Sequence, residues 1–144
     1  MRVLVIHGPN LNLLGERQPE IYGTQTLAEI NDFITASASD FGVTVECIQH
    51  NSEGAIIDAI HAARDRVDAI VINPGAYSHY SYAIADAIAS VPIPVVEAHL
   101  SNIASREAHR RTSVTAAACR GSISGFGALS YVLAVRAAAN IQGK

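Results

Sequence analysis

The chain has 144 residues, 49% of them hydrophobic, and a formal charge of −3. That is enough for one domain, residues 1–144, with its own core. The charge argues against a nucleic-acid partner, and no apolar run approaches membrane-spanning length.

The run 3–6, Val-Leu-Val-Ile, reads as a buried first strand. About fifteen residues then pass before the next helical pattern, and they carry asparagines, Arg17 and Tyr22 among glycines and prolines. A loop of that length in a compact domain is uncommon and usually functional. Its mixture suits a mobile lid over about 9–23. Thr26-Leu-Ala-Glu29 has the form of a capping box, with Leu27, Ile30, Phe33, Ile34 and Phe41 on one helical face and Gly42 ending the helix. Residues 43–48 read as a second strand. Ser52 can cap a helix running to about Arg66, with Ile56, Ile57 and Ile60 inward. Residues 69–72 form a third strand, stopped by Asn73-Pro74-Gly75. A helix from Tyr80 to about Ser90 ends before Pro92, and 95–98 is a fourth strand. A helical turn over 106–111, a short strand over 122–124 and a last helix over about 128–139 follow. Gly125-Phe-Gly127 does not complete a dinucleotide fingerprint and reads as helix-entry geometry.

Alternation of this kind predicts an α/β fold, a doubly wound five-stranded parallel sheet. The length favours the flavodoxin-like order 2-1-3-4-5. Ligands of such sheets bind beyond the carboxyl ends of the strands. Asn10, Asn51 and Asn73 follow the first three strands there, and Glu97-x-His99 closes the fourth.

Glu97 and His99 are two apart on a strand end, so their side chains share a face. A carboxylate beside an imidazole fixes its tautomer and suits a general acid or base. The same spacing also fits a surface pair, or a metal site completed by His79 and Asp86. Arg17 and Tyr22 share the long loop. An ordinary phenol, with a pKa near 10, is a poor base at neutral pH. A guanidinium about 4 Å away, at an effective dielectric near 20, favours its anion by roughly 4 kcal/mol before desolvation is subtracted. The amides around Gly75, with Asn73, can hold hydroxyls. If Leu100-Ser101-Asn102 turns into a helix, its N–H groups make a small anion site. Arg106 and Arg110, spaced i and i+4, would share one face and suit an anionic or polyhydroxylated ligand.

Cys47 and Cys119 lack ligand spacing and read as buried thiols of a reducing compartment. No signal-peptide pattern is visible, so a cytoplasmic location is expected. The only lysine is Lys144. Schiff-base and P-loop chemistries need a positioned lysine, and a terminal residue is a poor source of one.

Five blocks in order resemble the type II 3-dehydroquinate dehydratases: Gly8-Pro-Asn-Leu-Asn-Leu-Leu-Gly15, Glu20-Ile-Tyr-Gly23, Asn73-Pro-Gly-Ala76 with Ser78-His79, Glu97-x-His-Leu-Ser-Asn102, and Arg106-Glu107 with Arg110. The resemblance spans nearly the whole chain. It implies a flavodoxin-like fold, no cofactor, no metal, and loss of water from 3-dehydroquinate, an anionic small-molecule substrate, to give 3-dehydroshikimate. It also implies a homo-oligomer, commonly a dodecamer of trimers. Tyr22 would be the base, held as tyrosinate by Arg17. Asn10, with an ordered water, would stabilise the enolate oxygen. His99, oriented by Glu97, would protonate the departing hydroxyl. Asn73, Leu100 and Ser101 would bind the substrate carboxylate and its neighbours, and His79 and Arg110 the ring hydroxyls. Gly75 and Arg106 belong to the same substrate-binding blocks. Asp86 would complete the pocket of a neighbouring subunit. The other enzymatic route to this product forms a lysine Schiff base, and the composition argues against it here.

Some positions depart from the family pattern. His7 stands where asparagine is common, Ala104-Ser105 replaces a common His-Ala, His109 a common aromatic, and Tyr80 a common threonine. None removes a residue with an assigned role. Two other readings remain at this level: a metal-dependent hydrolase or lyase built on His79, Glu97 and His99, and a flavodoxin-like binding or signalling module. The latter would want an acidic cluster and a lysine at the strand ends, where this chain has asparagines.

Overall fold

A computed structural model describes residues 1–141; Lys144 lies outside the described residues. Five strands form one parallel sheet in the order β2-β1-β3-β4-β5, as the sequence predicts. They are β1 (Arg2–His7), β2 (Thr44–Gln49), β3 (Ala69–Asn73), β4 (Val95–His99) and β5 (Gly121–Ser124). The helices are α1 (Pro19–Tyr22), α2 (Leu27–Ser39), α3 (Glu53–Ala63), α4 (Tyr82–Ser90) and α5 (Leu129–Asn140).

The strand period of two sorts side chains between two cores. Val3 and Val5 of β1 and Val71 of β3 face the layer of α2 and α5, with Ile30, Ile34, Tyr131 and Val135. Leu4, Ile6, Ile70 and Ile72 face the layer of α3 and α4, with Ile56, Ile60, Ile84 and Ile88. Covering both faces is why β1 and β3 read as unbroken apolar runs. Each fully buried isoleucine contributes roughly 1.5–3 kcal/mol of transfer free energy.

Local signals explain the helix starts. Thr26, Ser52 and Ser81 accept hydrogen bonds from the amides of Glu29, Ala55 and Ile84 at 3.2, 3.3 and 3.1 Å. The third cap corrects the expected start at Tyr80. The chain makes a 3-10 turn over Gly75–His79, and α4 begins at Tyr82, after Ser81. Phe33, expected inward, is exposed; the buried stripe of α2 is Ile30, Ile34 and Ala38. The region 106–111 is not one helical turn. Two 3-10 turns, Ile103–Ser105 and Ala108–Arg110, are separated by extended backbone at Arg106, so Arg106 and Arg110 share no helix face. Cys47 and Cys119 are half-buried rather than buried. Burial pushes the Cys47 thiol up to about 11, which keeps it protonated.

The segment after β1 is more structured than a loop. It holds a 3-10 turn over Leu11–Leu13 and the single helical turn α1. Leu11 and Leu14 anchor it in the α2/α5 core. Gly8 is required where it leaves the sheet: a Cβ there would lie 2.6 Å from the Pro74 carbonyl carbon. The Gly8 amide instead donates to the Asn73 oxygen at 2.8 Å.

Candidate active site

At the carboxyl ends of β1, β3 and β4 the chain encloses a cavity of about 600 Å³, its open mouth included. The floor comes from strand ends, with Asn73, His99 and Leu100. One wall comes from the segment after β1, with Asn10, Arg17 and Tyr22. Gly75, His79, Ser101, Arg106 and Arg110 complete the lining. The sequence thus drew these residues from four separate stretches, and the sheet brings them together.

Glu97 and His99 point to the α3/α4 side of β4. Glu97 is wholly buried and His99 nearly so. The His99 Nε2 lies 2.5 Å from Glu97 Oε1. Ser113 Oγ donates to the same oxygen at 2.7 Å, and Thr115 Oγ1 donates to Oε2 at 2.7 Å. Three donors converge on a carboxylate that has only acceptors to offer. With Nε2 turned to Glu97, the other ring nitrogen, Nδ1, is left for a ligand. Ser113 and Thr115 carry no signal in the sequence, because they lie in the connection to β5 and their partner is on β4, 16 to 18 residues away.

Tyr22 ends α1. Its hydroxyl oxygen accepts from Arg106 Nη1 at 2.7 Å. Arg17 does not reach that oxygen as the sequence suggested. It stacks on the ring, its Cζ 4.7 Å from the centroid, with the Arg106 Cζ at 5.2 Å. Two guanidinium groups thus flank one phenol, and Arg106 supplies the hydrogen bond to its oxygen. Arg106 also donates to Ser101 Oγ at 3.4 Å.

The remaining groups are held at defined angles. His79 Nδ1 donates to the Thr112 carbonyl at 2.8 Å, leaving Nε2 as its second site. Arg110 Nε donates to Glu107 Oε2 at 2.6 Å. That hydrogen bond holds the Glu107 carboxyl below its ordinary value. Asn10 sits in the left-handed region at φ 69°, and its amide donates to Asn51 Oδ1 at 3.0 Å. The segment after Ser101 is a three-residue 3-10 turn, not a helix, so no helix end stands behind Leu100 and Ser101, which line the cavity directly. The trio His79, Glu97 and His99 does not converge either. Among the described residues, no three His, Cys, Asp or Glu side chains are placed to hold a metal ion.

The family profile for dehydroquinase class II matches residues 1–139. The chain belongs to this family. It is 51% identical to the 3-dehydroquinate dehydratase of Pelotomaculum thermopropionicum over 143 residues, 99% of each chain. It is 54% identical to that of Clostridium acetobutylicum over the full length of both. The crystal structure of the type II dehydroquinase from Butyrivibrio crossotus superposes with a TM-score of 0.95 at 47% identity, covering 97% of this chain and 98% of that one. As a class II dehydroquinase the chain is a hydro-lyase with the flavodoxin-like architecture described above.

Of the candidate residues, Asp86 alone stands apart from this class II dehydroquinase's cavity and its supports. It is exposed on α4, on the same helix face as the exposed Tyr82.

Proposed function

We propose that this type II 3-dehydroquinate dehydratase removes water from 3-dehydroquinate through an enolate, with Tyr22 as the base and His99 as the acid. One observation carries the reading: the Tyr22 hydroxyl, under an arginine at 2.7 Å, and His99, backed by the buried Glu97, line the same cavity.

The Tyr22 phenolate takes a proton from the carbon beside the ketone. The electron pair moves onto the ketone oxygen, where Asn10, with an ordered water, stabilises the developing charge. The enolate then collapses. Its pair forms the carbon–carbon double bond, and the carbon–oxygen bond to the hydroxyl breaks. His99 gives its proton to that hydroxyl, which leaves as water. Glu97 holds the imidazole in orientation and offsets its positive charge before the transfer. Arg106 is the residue best placed to keep Tyr22 ionised, with Arg17 adding its charge over the ring. Asn73, Leu100 and Ser101 bind the substrate carboxylate and its neighbours, Gly75 shapes that turn, and His79 and Arg110 meet the ring hydroxyls. Segment 9–23 acts as a lid whose closure brings in the base and excludes water.

We also propose that the enzyme is cytoplasmic, works without a cofactor and assembles as a dodecamer of trimers. No helix among the described residues is long and apolar enough to cross a membrane. Tyr82 and Asp86 on the outer face of α4, and Phe126, Leu129 and Leu133 at α5, offer exposed surface for a second copy. In the trimer Asp86 completes a neighbouring cavity. Sedimentation should give a mass twelve times that of the chain, and a monomer would refute the assembly.

Purified protein with no added metal or nucleotide should generate conjugated-enone absorbance from 3-dehydroquinate. Tyr22→Phe should abolish most turnover while circular dichroism stays unchanged. A fully active variant would remove Tyr22 as the base.

A further inference from the structure

A second polar cluster lies beneath the cavity floor. His7 ends β1 and Asn73 ends β3, and the two are register partners. Both face the α2/α5 layer. His7 and Tyr131 are wholly buried and Asn73 nearly so. The Asn73 Oδ1 accepts from the Gly75 amide at 3.1 Å, and its Nδ2 donates to the Tyr131 oxygen at 2.9 Å. That oxygen lies 2.9 Å from His7 Nδ1, and His7 Nε2 lies 2.7 Å from Asn31 Oδ1.

This chain can be polarised in only one direction. The Gly75 amide is a donor, so the Asn73 carbonyl oxygen must face it and the NH₂ must face Tyr131. Tyr131 accepts there and therefore gives its own hydrogen to His7 Nδ1. His7 must then carry its single proton on Nε2, which it donates to Asn31. A neutral imidazole is the state that completes the chain. A second proton on Nδ1 would displace the phenol hydrogen into a wholly buried space. Burial agrees with this, lowering His7 to about 4, against a smaller opposing effect of the Asn31 hydrogen bond.

We propose that His7 and Tyr131 are positioning residues for substrate binding, acting by fixing the carboxamide of Asn73 and the Gly75 turn at the cavity wall. Asn73 has two N–H donors. Tyr131 takes one, and the other is left for a ligand of the cavity that Asn73 lines. Without the Tyr131 bond the carboxamide is held at its oxygen alone, and its free N–H loses its direction. The inference rests on Asn73 meeting the substrate.

Steady-state kinetics with 3-dehydroquinate on four variants, beside thermal unfolding, tests it. His7→Leu and Tyr131→Phe should raise KM about tenfold with kcat within about threefold, the pattern of lost binding rather than lost chemistry. His7→Asn presents an oxygen near the Nδ1 position and can accept from Tyr131. It should bring KM back to within about threefold of the parent although it loses Asn31. His7→Gln reaches Asn31 but not Tyr131, and should leave KM raised. Parental KM in Tyr131→Phe, the same KM for His7→Asn and His7→Gln, or KM values that merely follow thermal stability would each overturn the proposal. If His7→Leu does not fold, the other three variants still decide. Asn73→Ala separates the two layers: raised KM there with parental KM in Tyr131→Phe retains the substrate contact and removes the relay.

Discussion

Two regions meet at the cavity, and they hold their functional groups by different means. The strand ends carry His7, Asn73, Glu97 and His99. These are buried, and their polar atoms are matched by fixed partners such as Tyr131, Ser113 and Thr115. The segments outside the sheet carry Arg17, Tyr22, Arg106 and Arg110. These are half-exposed, and charge and ring contacts hold them together. A strand end inherits the rigidity of a sheet whose slippage by one residue would swap its two cores. A side chain on an outer segment is placed only as well as that segment is docked. The proposed acid, His99, is thus built into the frame, and the proposed base, Tyr22, sits on a segment docked against it.

The strongest way to break this contrast is at the acid. His99→Ala should lower kcat by about 10²- to 10⁴-fold with the fold retained, and a smaller loss would move the acid elsewhere. Next is a stability effect confined to the strand ends. His7 sits at about 4 when folded against an ordinary 6.5. Between those values the unfolded chain binds a proton that the folded chain refuses. Stability should therefore fall as pH drops from 6.5 to 4, by about 3 kcal/mol in all, and be flat above 6.5. Urea midpoints for the parent and His7→Asn should diverge across that window; parallel curves would mean the histidine is not buried neutral.

On the outer segments the two arginines should differ. Arg106→Ala removes the hydrogen bond to the Tyr22 oxygen and should lower kcat/KM by about 10- to 100-fold. Arg17→Ala removes only a ring contact and should lower it by about threefold to tenfold. Equal losses would mean that both arginines work as point charges. A second stability effect is expected at the carboxylate's supports. Thr115→Val leaves Glu97 Oε2 without its hydroxyl donor and should destabilise the fold by about 1–3 kcal/mol. Thermal unfolding checks this, and an unchanged midpoint would show that another donor replaces the hydroxyl.

Much of this was legible in the chain itself, for identifiable reasons. The β1 and β3 runs are apolar on both faces, so they announce a covered parallel sheet. Thr26 and Ser52 signal their helices by sequence-local hydrogen bonds. Glu97 and His99 could be paired because strand spacing alone puts them on one face. The errors occurred where local periodicity was asked to do tertiary work. Phe33 fits the helical stripe of α2 but lies outside it. Arg106 and Arg110 fit an i, i+4 pair, but extended backbone at Arg106 separates them. Arg17 is the arginine nearer to Tyr22 in sequence, and Arg106 is the one whose N–H reaches its oxygen.

The sequence by itself determined the order of elements, the two-sided burial of the sheet and the set of side chains at its carboxyl edge. These follow from periodicity, caps and chain direction, which act over a few residues. Only the tertiary structure decided which arginine meets the tyrosine, that Ser113 and Thr115 complete the Glu97 carboxylate, and that His7 is locked neutral beneath Asn73. Those outcomes depend on hydrogen-bond geometry between strands and helices up to 124 residues apart. No local pattern encodes a distance of that kind.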